Sequence, residues 1–359
     1  MVFFKHFFVK IILSVVIVSF LIVAPFPLFS KINQLNYSFN GEINLKYSGV
    51  LELWNVDTFE GGSVSRTTFL EKRALEFEKQ NKGVFISVNN ISLEQLKLNL
   101  NSGKLPSIIT FGIGAGEYIV NELKTLNTNF FVREDLIKSA VINGQIKAVP
   151  IMMGGYSLIL NKELVLEEDF LRKNEFNNSI VYSTKDNINP LLSLFVNNIQ
   201  IKKQCEENLT SFDAYDKFIH NKYEIILGTQ RDYYRCKNRE NNLKMQGEYK
   251  LLAGFTDLIV YAGVCKSDSV KEEISENFIS YLTSKNVQEK LQNINLFPVI
   301  NENIYIDEDY KNFNNVLLKN VKTLNVFSNN ETLSELKNLL IKYFNGEVSL
   351  KKEIENYLL

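Results

Sequence analysis

Between residues 49 and 111 short β-branched runs alternate with longer stretches of helical period. This alternation constrains the fold more than any other feature. Val50–Val56 (VLELWNV) suits a buried strand. In TFLEKRALEFEKQN, Phe69, Leu70, Ala74 and Phe77 share one helical face, with Glu71, Lys72 and Lys79 elsewhere. Gly83 sits where a helix C-cap belongs. Val84–Val88 reads as a second strand, Leu93–Leu100 as a helix ended by Gly103, and Ser107–Phe111 (SIITF) as a third strand. A β-α-β-α-β run predicts a parallel sheet with helices on its faces. In such sheets ligands bind beyond the C-terminal ends of strands. That rule singles out the loops Asp57–Arg66 and Gly112–Glu117.

A second unit begins after Pro150. Ser157–Asn161 is a strand, Asp213–Asn221 a helix, and Glu224–Leu227 a buried strand ending at Gly228. Thr256–Val264 is a further strand and Val270–Thr283 a helix. Thr332–Phe344 and Val348–Leu358 make the C-terminal part helical. A chain of 359 residues has room for two domains of ordinary size.

Residues 11–30, IILSVVIVSFLIVAPFPLFS, contain no charge; Lys5 and Lys10 precede them and Lys31 follows. About 20 helical residues cross a hydrocarbon core of about 30 Å. The charge before the segment places the bulk of the chain outside the cell. A cleaved signal peptide is the competing reading, but the run is long and no small-x-small site follows it. Residues 1–36 are therefore expected to be a membrane anchor or signal segment, with 7–29 in the membrane. Residues 31–48, rich in Asn and Ser, read as a spacer.

Composition removes several functions. Lys+Arg 40 against Asp+Glu 41 leaves no basic surplus for nucleic acid. Two histidines, His6 and His220, argue against a His-based triad and multi-His zinc sites. No P-loop, H-E-x-x-H, G-x-S-x-G or paired C-x-x-C occurs, so no cofactor or metal is expected. Cys205, Cys236 and Cys265 are scattered; Cys205 and Cys236 could pair outside the cell.

Three stretches have chemistry suited to a ligand. In D57-T-F-E-G-G-S-V-S-R66, Gly61 and Gly62 permit close backbone approach, while Thr58, Glu60, Ser63, Ser65 and Arg66 offer donors and acceptors. An ordinary βα loop with N-capping Ser and Thr is the alternative. F111-G-I-G-A-G-E-Y118 departs from the dinucleotide fingerprint at Glu117, and Gly112 is left as a close-approach position. G228-T-Q-R-D-Y-Y-R235 gathers Gln230, Arg231, Asp232 and two tyrosines, a set suited to sugar hydroxyls and ring C–H groups; a solvated helix start is the alternative. Trp54 and Tyr156 are candidate stacking platforms. The carboxylates Asp57, Glu60, Asp232 and Asp257 could form a glycosidase pair, although binding proteins also use acids as hydroxyl acceptors.

Together LELWNVDTFEGGSVSRTTFLEKRALEFEKQN, LPSIITFG, AVPIMMGGYSLILNKEL, GTQRDYYR, AGFTDLIVYAG and ENFISYLTSKNVQEKLQNINLFPV resemble, in order and spacing, the extracellular solute-binding proteins of ABC importers, in the carbohydrate-type group (family 1). The resemblance covers most of residues 49–300. It implies an α/β, two-lobed periplasmic-binding-protein-like fold (type II), here preceded by a transmembrane helix. It also implies chain crossings near Lys147–Tyr156 and Leu251–Asp257. The first lobe would take 49–150 and 256–300, the second 151–255 and 301–359. A sugar or oligosaccharide would bind between them, delivered to ABC permease subunits at the cell membrane. The ligand contacts expected are Trp54, Thr58, Glu60, Gly61, Gly62, Arg66, Gly112, Tyr156, Gln230, Arg231, Asp232 and Asp257. Two departures stand out. No lipid-modifiable cysteine follows the apolar segment, and residues 165–205 are Asn-rich with few aromatics. A glycoside-active surface enzyme and a sensory receptor on the same fold remain as alternatives.

Overall fold

The computed structural model describes residues 47–57, 63–127, 130–167, 169–202, 205–243, 248–302 and 308–359. The expected anchor, residues 1–36, lies outside them, as do Thr58, Glu60, Gly61 and Gly62. Among the described residues no helix is long and apolar enough to cross a membrane.

The expected alternation forms strand β1 (Gly49–Val56), helix α1 (Ser63–Gln80), β2 (Val84–Ile91), α2 (Leu93–Asn101) and β3 (Ile108–Phe111). β1 pairs in parallel with β2 from Gly49↔Val84 to Val56↔Ile91, and in parallel with β3 on its other edge. Phe69, Leu70, Ala74 and Phe77 of α1 are buried, and Phe77 meets Phe278 edge-on at 5.1 Å. Burial of each of Phe69, Leu70 and Phe77 contributes roughly 1.5–3 kcal/mol. The second helix starts on a capping box, Ser92 with Gln95, which satisfies two orphan backbone donors.

The chain continues through β4 (Val149–Met153), β5 (Tyr156–Leu160), β6 (Ile180–Val181), α3 (Pro190–Val196) and α4 (Ser211–Ile219). It goes on through β7 (Ile225–Thr229), α5 (Gln230–Leu243), β8 (Tyr249–Leu251) and β9 (Ile259–Val264). The helices α6 (Ser269–Leu282), α7 (Glu308–Leu317) and α8 (Asn330–Phe344) follow. Two larger sheets result. One runs β2-β1-β3-β9-β4, the other β8-β5-β7-β6. Neither is wholly parallel. β9 runs antiparallel to β3 and β4, and β5 antiparallel to β7 and β8. The periodicity that reveals a strand says nothing of its direction once the chain has visited another sheet.

The chain passes from the first sheet to the second between Met153 and Tyr156, and returns between Leu251 and Ile259. The two passes bond to each other: Gly154 N–H donates to the Leu258 carbonyl at 2.6 Å, and Thr256 Oγ1 donates to the Gly154 carbonyl at 2.8 Å. A third pass joins them, with Thr256 N–H donating to the Lys322 carbonyl and Lys322 N–H to the Gly254 carbonyl. Buried Arg133 anchors this third pass, donating to the Leu317 carbonyl at 2.7 Å while Asp135 grips its guanidinium. The C-terminal segment reaches both lobes. Val326 N–H donates to the Ser139 carbonyl, and Asn330 bonds Glu117 and Tyr118 beside β3. Further along α8, Tyr343 packs edge-on against Phe195 at 5.1 Å.

Candidate functional site

The C-terminal ends of strands from both sheets face one seam, and two contacts cross it. Arg231, which follows β7, donates to Ser65 Oγ, which follows β1, and also to the Ile294 carbonyl at 3.5 Å. Asn187, which follows β6, lies against Gly114, which follows β3. A Cβ placed on Gly114 would sit 2.1 Å from Asn187 Nδ2, and its φ of +85° also favours glycine. Strand ends are where open α/β sheets hold ligands, and here they come from both lobes at once.

The helix start at Gln230 is organised by its own sequence. Asp232 accepts the Thr229 N–H at 2.8 Å and the Thr229 hydroxyl at 3.2 Å, as the third residue of a helix does in a capping box, and Arg235 bonds its other oxygen at 3.1 Å. Burial pushes the Asp232 carboxyl above its ordinary pKa despite these donors. Gln230 is fully buried. Its Oε1 accepts from Gly155 N–H at 2.9 Å and its Nε2 donates to the Asn295 carbonyl at 3.1 Å, so one side chain ties the first crossing to the segment after α6. The alternative of a solvated helix start is overturned, because Gln230, Arg231, Asp232 and Tyr233 are all buried.

Asp257 is also occupied. Its carboxylate accepts from Tyr156 Oη at 2.6 Å, from Asn189 N–H at 2.7 Å and from Asn189 Nδ2 at 3.3 Å. Burial raises its pKa, and those donors offset the rise in part. Tyr156 is fully buried, and its ring stacks on Phe255 at 6.2 Å with planes 6° apart. Trp54 is 6% exposed and belongs to the same apolar cluster as Val56, Ile91, Leu96, Ile109 and Phe111. Neither ring presents the open face that sugar stacking needs. Arg66 lies in the first turn of α1 rather than in a loop, and is 2% exposed. Gly112 is buried and caps a turn through its carbonyl to Ala115 N–H. The close approach expected of its loop occurs, but against protein. Gly114 faces Asn187, and a Cβ on Gly116 would lie 2.4 Å from the Val326 carbonyl.

Sequence reasoning missed Asn187, Asn189 and Asn295. The signal for the first two was present. Ile180–Val181 is β-branched, Pro190 sits at the first turn of α3, and an Asn-rich loop between strand and helix is the place for ligand contacts. Cys205, Cys236 and Cys265 are free thiols, so the pairing considered for Cys205 and Cys236 is not formed. Among the described residues no group of three or more His, Cys, Asp or Glu side chains is placed to hold a metal ion.

No protein-family model and no curated protein sequence matches the chain. Solved structures do. The sugar-binding protein MalE of Xanthomonas citri superimposes with a TM-score of 0.60 at 14% identity, covering 86% of this chain and 96% of that one. This chain has the fold of the two-lobed solute-binding proteins. The GacH receptor of Streptomyces glaucescens, solved unliganded and with acarbose, gives 0.58 at 12% identity over 85% and 94% of the two chains. An extracellular solute-binding protein of Staphylococcus aureus, solved with maltose, gives 0.53 at 15% over 87% and 96%. On this solute-binding fold the seam is the space between the lobes, and the glycine pair Gly154–Gly155 lies on the chain's first pass across it.

Proposed function

We propose that the chain is the extracellular solute-binding receptor of an ABC transporter, capturing a sugar or oligosaccharide between its lobes. The observation behind this reading is the pair of cross-seam contacts, Arg231 to Ser65 and Asn187 to Gly114, on a fold shared with maltose- and acarbose-binding proteins. A group that bonds across the seam can exchange its protein partner for a ligand hydroxyl when the lobes part and close again. On this basis Arg66, Gln230 and Arg231, with Gly112 and the segment Thr58, Glu60, Gly61 and Gly62, form the ligand-facing set. Trp54, Tyr156, Asp232 and Asp257 support it from behind. The first lobe comprises 49–150 and 256–300, the second 151–255 and 301–359, with the C-terminal helix α8 bridging them. Residues 7–29 anchor the receptor in the cell membrane beside its permease.

A hydrolase reading is disfavoured by chemistry. Asp232 and Asp257 use their oxygens on fixed neutral donors and on Arg235, which leaves neither poised as acid or base. The test is calorimetry on the full-length chain in mild detergent against maltose, maltotriose, xylo-oligosaccharides and chito-oligosaccharides. One-site saturable binding without product is expected, weakened about tenfold in Arg231→Ala by loss of one charge-assisted bond. No heat from any sugar in a folded protein, or full affinity in Arg231→Ala, would overturn the assignment. Release of shortened sugar would replace it with the enzyme.

A further inference from the structure

A cavity of about 370 Å³ lies at the loop after β6, with neither Arg231 nor Gln230 in its lining. Three segments build it: the loop after β6, the stretch around Cys205–Asn208, and one face of α8. Its apolar wall includes Ile188, Leu191, Leu340 and Ile341. Ser183, Asn189 and Asn338 are among its polar side chains, and its one cation among the described residues is Lys337. The ammonium donates to the Asp186 backbone carbonyl and has no ion-pair partner among those residues. The two acids nearest in charge are engaged elsewhere. Asp186 accepts from Ser183 Oγ at 2.8 Å and from Ser211 N–H at 2.8 Å, and Asp257 from Tyr156 and Asn189. Burial pulls the Lys337 pKa below its ordinary value even with those acids nearby, the mark of an ammonium short of compensation. Asn189, 2% exposed, completes this side of the wall, its Oδ1 without a partner among the described residues.

A hollow of this volume with an apolar wall, neutral polar side chains and one convergent cation matches the form of a small-molecule site. We infer that this cavity binds a small carboxylate on an apolar body, with the carboxylate on Lys337 and the body against Ile188, Leu340 and Ile341. The site shares the loop after β6 with the seam, through Asn189, but Arg66, Gly112, Gln230 and Arg231 do not line it, and the inference does not depend on that reading. A carboxylate supplies the ion pair that Asp186 and Asp257 withhold, and takes the N–H groups that the Asp186 carbonyl leaves over. Glu207 at the cavity wall gives two ligand types different outcomes: its charge favours a carboxylate that also carries an ammonium.

The test uses the full-length chain in mild detergent, titrated with 4-methylpentanoate, with leucine and with the uncharged 4-methylpentanol. Saturable binding of 4-methylpentanoate or leucine, and not of the alcohol, is expected. Leucine binding the tighter of the two would assign the site to amino acids, and the reverse order to simple carboxylates; both support the site. Lys337→Met keeps the side chain's bulk and removes its charge. It should weaken the carboxylate at least about tenfold while leaving oligosaccharide binding and the unfolding midpoint unchanged. Lys337→Arg should restore part of the loss. Equal binding of acid and alcohol, binding that survives Lys337→Met, or no saturable binding of any probe would overturn the inference. Arg231→Ala should affect the sugar and spare the carboxylate, so failure of one site is distinguishable from failure of the other.

Discussion

The chain crossings and the start of α5 are made from the same kinds of residue, buried and polar, yet they use them differently. At the crossings Asp257, Tyr156, Asn189, Thr256 and Gly154 satisfy one another within a few chain passes. At the helix start Gln230 and Arg231 spend their donors on Asn295, Ile294 and Ser65, on the far side of the seam. The first set holds whether the lobes are together or apart. On the proposed reading, the second breaks when they separate. Under the proposed function, burial and polarity do not tell scaffold from ligand contact; the location of the partner does.

The comparison breaks most readily at Asp257. Asp257→Ala strands the Tyr156 hydroxyl and two Asn189 donors in the interior, a loss of roughly 3 kcal/mol at 1–3 kcal/mol for each unsatisfied group with partial relaxation. Chemical denaturation should show it as a lower midpoint, with little effect on ligand affinity beyond the folded fraction. A wild-type midpoint would mean that the crossing is not held by this carboxylate. Gly114→Ala comes next. A left-handed φ costs a residue with a Cβ about 1–2 kcal/mol, and contact with Asn187 adds to that only while the lobes are closed. Small-angle scattering should report a larger radius for Gly114→Ala, and Asn187→Ala in the same chain should reverse the radius without restoring the stability. If the radius never changes, the Gly114–Asn187 approach is not part of closure.

These cases show what the sequence made legible. The first lobe's β-α-β-α-β core followed from period alone, because α1 and α2 hold their own apolar faces, and α2 its own cap, within a few residues. Gly83 and Gly103 take positive φ where the helix ends were expected. Strand direction in β5 and β9 did not follow, since it depends on where the chain has been. The helix α1 also begins earlier than its apolar face suggested, which moved Arg66 from a loop into a first turn. Asp232 looked like a ligand acid because T-x-x-D was read as part of a polar cluster; the same four residues spell half of a capping box. Trp54 was ambiguous by nature, since a tryptophan near a strand's C-terminal end can face either the core or the cleft. Asn187 was invisible as a site residue, because its importance is a distance to Gly114 across the seam.

Asp232 sharpens the comparison at its other end. Asp232→Ala removes the acceptor that caps α5 and should cost roughly 2 kcal/mol at 1–3 kcal/mol for each unsatisfied group, less than Asp257→Ala because two buried Thr229 donors lose their acceptor rather than three. Asp232→Asn keeps the shape and removes the charge, so its difference from the wild type should vary with pH. Burial raises the folded-state pKa of Asp232 above the unfolded value of 3.8. The folded protein then binds more protons than the unfolded chain between those two values, and its stability falls as pH rises through that window. Asn at this position does not titrate. The stability of Asp232→Asn relative to the wild type should therefore climb from about pH 4 upward, read as the difference in denaturation midpoints across a pH series. A relative stability that falls instead would show that the Thr229 and Arg235 donors outweigh burial. The helix start would then hold a true anion whose charge is available to the seam, and Asp232 would move from the scaffold to the ligand-facing set.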